Sequence, residues 1–271
     1  MDTNSNQARR VVIGITAHVD AGKTTLAEAM LYRTGRLRKL GRVDHGSAAM
    51  DSHLLERERG ITIFSSQAEL PIGDLEVTLL DTPGHVDFSA EMERTLSVLD
   101  YAILVISGAD GVQAHTRTLW RLLELYRIPT FLFVTKMDFG RCGRGQMMEH
   151  LRHELGEGCV DFTPADRERR MEQLATCRED ALEVYLDGGE VPDALVRQLV
   201  GRRLVFPCWF GSGLKLEGID EFLEGLARYV EPPVYPETFS ARVFKISHDP
   251  QGKRLTHLKV TGGTLRVRDA V

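Results

Sequence analysis

Residues 11–25 read VVIGITAHVDAGKTT, and this stretch decides the fold. Residues 11–15 are a short β-branched run, and residues 24–32 place Leu26, Ala27, Met30 and Leu31 at helical spacing. Between strand and helix, Ala17-His18-Val19-Asp20-Ala21-Gly22-Lys23-Thr24 approximates the GxxxxGK[ST] loop, with Ala17 at the first glycine position. Such a loop turns several backbone N–H groups toward phosphate oxygens at a helix N-terminus. Lys23 adds positive charge, and the Thr24 hydroxyl is a hard oxygen ligand suited to Mg²⁺. Ala17 costs the loop some backbone freedom relative to glycine.

Working outward, the pattern keeps alternating. Strand candidates run over 61–70, 76–80, 101–107 and 130–135, and helix candidates over 89–99 and 112–127. Near-continuous apolar strands separated by helices predict a mostly parallel sheet with helices on both faces, an α/β phosphate-loop fold. Residues 139–203 break the rhythm and read as a helical insertion, with a long helix from Thr163 to Leu186. Residues 204–210 resume as a strand and 219–230 as a helix. The expected division is therefore a nucleotide domain over 1–230, a Pro-rich linker over 231–237, and three strands within 238–271 that open a β-barrel domain. About 34 residues fall below the roughly 40 a domain usually needs. That stretch is expected to be disordered or to pair with another chain, the whole being the N-terminal portion of a longer protein.

Two further constellations follow strands on the same expected edge. Asp81-Thr82-Pro83-Gly84-His85 ends an apolar strand, where an Asp can hold Mg²⁺ through water and a Gly N–H can sense a γ-phosphate. Thr135-Lys136-Met137-Asp138 ends another. A carboxylate there accepts both the N1–H and the 2-amine of guanine, donors that adenine lacks, while the Lys136 stem covers the ring. Ligands of such sheets bind outside the strand carboxyl ends, so three loops on that edge form one site. Arg59-Gly60-Ile61-Thr62 adds a hydroxyl that can reach the metal, and the polar, Gly-containing residues 35–59 read as a segment that orders around the γ-phosphate.

Composition narrows the classes. Lys and Arg number 34 against 39 Asp and Glu, a net charge of −5 that excludes a wholly basic nucleic-acid module. The longest strongly apolar run is residues 101–106, far short of the roughly 20 residues of a membrane helix. Four cysteines, at 142, 159, 177 and 208, form no CxxC pair and read as reduced thiols of a cytoplasmic protein.

Together AHVDAGKTT, RGITI, DTPGH and TKMD resemble the translational GTPases of the elongation factor G superfamily. Residues 54–63, 97–120 and 128–138 look most like the tetracycline ribosomal-protection proteins. The resemblance implies a P-loop GTPase domain and ribosome-stimulated hydrolysis of GTP to GDP and phosphate, with large-subunit ribosomal RNA as partner, by a monomer with no membrane attachment. It implies that His85 is catalytic, positioning the attacking water, and that Val19 and Ile61 flank it. The nucleotide site would be Ala17, His18, Val19, Asp20, Ala21, Gly22, Lys23, Thr24, Thr25, Asp81, Thr82, Pro83, Gly84, Thr135, Lys136, Met137 and Asp138, with Ser212, Gly213 and Leu214 holding the base. Mg²⁺ would be held by Thr24 and Thr62, and by Asp81 through water; a monovalent cation would sit near Asp20, whose other reading is a helix N-cap. Thr135 replaces the family's usual Asn, which ties the base loop to the phosphate loop. An elongation factor G-like translocation factor, and a GTP-binding switch without catalysis, remain alternatives.

Overall fold

A computed structural model describes residues 9–38, 66–82, 89–139, 142–163, 167–249 and 251–270. The chain runs β1 (Arg9–Ala17), α1 (Lys23–Arg33), β2 (Ser66–Ile72), β3 (Leu75–Asp81), α2 (Ser89–Leu96), β4 (Tyr101–Ser107), α3 (Ala114–Leu125), β5 (Thr130–Thr135), α4 (Arg144–Leu155), β6 (Cys159–Asp161), α5 (Arg167–Thr176), α6 (Glu179–Gly188), α7 (Asp193–Gly201), β7 (Phe206–Phe210), α8 (Ile219–Tyr229), β8 (Ser240–His248) and β9 (Arg254–Gly262). Seven strands form one sheet in the order β2-β3-β1-β4-β5-β7-β6, parallel except for β2. The order reverses at β1, whose neighbours are β3 and β4, so the crevice at its carboxyl end is the natural ligand site of such a sheet.

Alternate residues of the central strands point to opposite faces and build two cores. Ile13, Ile15, Ile103, Val105, Phe131 and Phe133 pack with Leu26 and Met30 of α1 and Phe222 and Leu226 of α8. Leu104, Ile106, Leu132 and Val134 pack with Leu119 and Leu123 of α3 and Met148 and Leu151 of α4. Every residue of β4 and β5 is buried, which is why both read as unbroken apolar runs. No helix among the described residues is long and apolar enough to cross a membrane.

The 139–203 stretch differs from its all-helical reading. Its first helix, α4, lies in the sheet's second core, and Cys159–Asp161 adds an edge strand parallel to β7. Three residues are too short for a periodic signal, so only pairing reveals this strand. The single long helix is two, α5 and α6. Near the break the Thr176 hydroxyl donates to the Gln173 carbonyl at 2.8 Å, and the Cys177 Sγ lies 3.2 Å from the same oxygen. Side chains that take a helical carbonyl offer the backbone another route, and Arg178 is extended.

Past the linker, β8 and β9 form an antiparallel pair, and residues 264–267 are not a strand. Far from lacking partners, the pair is seated on the sheet domain. Phe244 is buried against Leu80 and Val98. The Lys259 ammonium meets the Asp100 carboxylate at 2.5 Å, and Asp100 also accepts from the Tyr235 hydroxyl at 3.1 Å and the Val12 amide at 2.8 Å. Burial holds the Lys259 ammonium below the ordinary lysine range, opposed by Asp100. With both side chains about nine-tenths buried, removing one partner leaves an uncompensated charge, a loss of about 3–5 kcal/mol. Lys259→Ala is therefore expected to lower the urea midpoint by that order while GDP affinity stays unchanged, because no nucleotide-site residue lies on the pair.

Candidate nucleotide-binding site

The carboxyl ends of β1, β3, β5 and β7 lie along one edge of the sheet. The phosphate loop enters α1 through Gly22, the N-cap, in the left-handed conformation at φ 92°. A side chain there would be strained. Asp20 also has a positive φ, which short polar residues tolerate best, but it is not the helix cap. The Lys23 side chain is buried at the start of α1, where it ion-pairs with Asp81 and donates to the Thr82 carbonyl at 2.7 Å. Asp81 is the fully buried last residue of β3, level with Ile15. One ammonium and one carboxylate thus converge beside the loop's N–H groups. The Thr24 hydroxyl, half-buried in the same helical turn, and the single Asp81 carboxylate are hard oxygen donors. They fit a small divalent ion that completes its shell with phosphate and water, the usual habit of Mg²⁺.

The base side is tied to the phosphate side. The Thr135 hydroxyl donates to the Ala21 carbonyl at 2.6 Å, so Thr supplies the cross-loop tie that Asn usually makes. The Lys136 ammonium donates to the Asp20 carbonyl at 2.5 Å, its backbone in the left-handed region. Gly213 presses its backbone on the first turn of α1: a Cβ there would stand 2.9 Å from the Thr25 carbonyl oxygen. Ser212 exchanges two backbone hydrogen bonds with Glu217, both at 3.0 Å, which closes the loop after β7. The Asp138 carboxylate is 2.7 Å from the Lys215 ammonium. Lys215 holds the Asp138 carboxyl below the usual carboxylate range, keeping it ionised and acceptor-only, as a guanine edge requires.

Several expected residues are placed otherwise. The Thr82 hydroxyl is spent on the Ile15 carbonyl at 2.8 Å, so only the Thr82 backbone faces Lys23. Met137 packs on the second core, because the tight turn at Lys136 directs the next side chain inward. Leu214 is largely exposed, Ala17 and Ala21 are buried, and Val19 is half-buried. His18 stands with its ring 6.0 Å from that of His115 at the head of α3. His85, Pro83, Gly84, Ile61, Thr62 and most of 35–59 lie outside the described residues. Lys215 is the residue that the sequence did not single out. Its signal was a position one residue past Leu214, but a lone surface lysine reads as a solvated charge.

Thr135→Val keeps the shape and removes the hydroxyl. With the buried Ala21 carbonyl then lacking its donor, at about 1–3 kcal/mol, GDP affinity is expected to fall roughly tenfold by calorimetry.

The Elongation factor Tu GTP binding domain model matches residues 8–232. The chain is 39% identical to an oxytetracycline resistance protein of Streptomyces rimosus, 36% to the tetracycline resistance protein TetM of Ureaplasma urealyticum and 34% to TetO of Campylobacter jejuni. Each of these matches covers 96% of this chain and 43% of the relative. A crystal structure from Thermus thermophilus superposes with a TM-score of 0.86 at 28% identity, covering 97% of this chain and 47% of that one.

Proposed function

We propose, on the premise that the chain belongs to the Elongation factor Tu GTP-binding domain family, that it binds GTP with Mg²⁺ and hydrolyses it on the ribosome as part of a tetracycline-protection factor. The observation that carries this reading is the 39% identity to an oxytetracycline resistance protein, which extends over 96% of the chain. Because the chain spans 43% of that relative's length, the activity of the whole protein belongs to the proposal.

In this reading Lys23 and the loop amides bind the β- and γ-phosphates and stabilise charge in the transition state. Thr24, Thr62 and Asp81, the last through water, would hold Mg²⁺, which would neutralise phosphate charge. Asp138 selects guanine, with Lys136 covering the ring and Ser212 and Gly213 closing the other side. His85 positions the attacking water once large-subunit ribosomal RNA draws it inward. The protein acts in the cytoplasm as a monomer. The test expresses the full-length protein in a tetracycline-sensitive host and measures growth in the drug together with ribosome-stimulated GTP hydrolysis. Growth with stimulated hydrolysis supports the reading. Stimulated hydrolysis that drives translocation without protection favours the elongation factor G alternative, and nucleotide binding without hydrolysis favours a plain switch.

A further inference from the structure

The 142–203 region holds a cavity on the carboxyl edge of the sheet that shares no lining residue with the loops of the nucleotide site. It measures about 260 Å³ and lies where β6 ends, between α4 and α5. Arg144 and Arg152 of α4 and Arg169 and Arg170 of α5 line it, with Thr163, Gln173 and one carboxylate, Asp161. That carboxylate is already engaged, by the Arg144 Nε at 2.8 Å and by the Thr163 amide at 2.9 Å. Arg144 answers that carboxylate and Arg169 has an interaction of its own, so Arg152 and Arg170 are the guanidinium groups left to face a ligand.

The Thr163 Oγ1, Arg170 Nε and Gln173 Oε1 are buried and lack a hydrogen-bond partner among the described residues. All three residues line this space, and Gln173 also borders a neighbouring cavity beside Glu157. Each such atom costs about 1–3 kcal/mol when left unpaired, so three together mark a place built to be filled. The guanidinium planes are meanwhile fixed. Arg152 spends its Nε on the Cys159 carbonyl at 3.1 Å. Arg170 spends one terminal N–H on the Phe162 carbonyl at 3.2 Å and lies 5.4 Å over the Phe162 ring. Positioned guanidinium forks bind the paired oxygens of a phosphate better than a lysine would.

We propose that this cavity is a binding site for a small phosphomonoester that carries a hydroxyl group. The phosphate oxygens meet Arg152 and Arg170 together with the Thr163 hydroxyl. The ligand's hydroxyl donates to the Gln173 side-chain carbonyl oxygen, which lacks a donor among the described residues. The volume lies just under the roughly 300 Å³ at which small-molecule sites begin. A partly open space of that size suits a phosphorylated metabolite. This site is independent of the nucleotide site and of the reading given to it.

The test uses the whole chain saturated with GDP and Mg²⁺, so that the phosphate loop is filled. Glycerol 3-phosphate and inorganic phosphate are the probes, titrated by calorimetry. Saturable binding of glycerol 3-phosphate, tighter than that of inorganic phosphate, is expected. Arg170→Gln should weaken it at least tenfold, Arg170→Lys less, and GDP affinity should hold in both. Thr163→Val, a gentler change, should weaken it several-fold and keeps the test alive if the arginine variants do not fold. The proposal is overturned if no saturable binding is seen, if Arg170→Gln and Thr163→Val bind as the parent does, or if a short single-stranded RNA binds there and glycerol 3-phosphate cannot displace it.

Discussion

Asp138→Ala is expected to weaken GDP binding by about 100-fold or more. Two hydrogen bonds to a charged acceptor contribute about 1.5–3 kcal/mol each, and each 1.4 kcal/mol is tenfold in affinity. The carboxylate sits where such bonds form: Asp138 follows the β5 turn, and Lys215 anchors one of its oxygens at 2.7 Å. Alanine also leaves Lys215 without that carboxylate. Asp138→Asn turns one acceptor into a donor, which suits the 2-oxo group of xanthine, so preference should move from GTP to xanthosine triphosphate. Lys215→Ala should cost far less than Asp138→Ala, since Lys215 only orients the carboxylate. Calorimetric titration of both nucleotides decides the matter, and unchanged guanine preference in Asp138→Asn removes Asp138 from the site.

His85→Ala is expected to separate catalysis from binding in the full-length protein. In the proposed reading His85, four residues after Asp81 in the sequence, positions the attacking water. Positioned water and transition-state electrostatics each contribute about 10²–10⁴-fold. Ribosome-stimulated turnover should fall at least about 100-fold, while GTP affinity and the slow unstimulated rate change little. Single-turnover hydrolysis with and without ribosomes measures both rates. A variant that keeps its stimulated rate would falsify the catalytic role.

Much of this was legible in the chain because local chemistry fixed it. Apolar runs such as residues 101–107 and 130–135, short and rich in β-branched and aromatic residues, read as buried strands, and Gly22-Lys23-Thr24 after a β-branched run reads as the opening of a helix. The expected bounds of β4 and β5 coincide with the observed ones, Tyr101–Ser107 and Thr130–Thr135. Side chains whose task depends on a partner far along the chain were not legible. The Thr82 hydroxyl turns to Ile15, and Met137 turns to the core, though both stand inside motifs. The edge strand Cys159–Asp161 exists because β7 accepts it, and nothing in three residues announces that.

By itself, then, the sequence determined the fold class, the order of the loops and the residue types available to a phosphate and a guanine. Periodicity and glycine placement act within a few residues of chain, so they survive being read in one dimension. Only the tertiary structure decided how the loops are held together: Thr135 on Ala21, Lys136 on Asp20, Gly213 on Thr25, and Lys215 on Asp138. It also decided that β8 and β9 rest on a buried Asp100–Lys259 pair, and that arginines from two helices share one cavity. Each loop tie joins residues far apart in the chain and adjacent in space. Their energies depend on distance and on exclusion of water, neither of which a linear sequence carries.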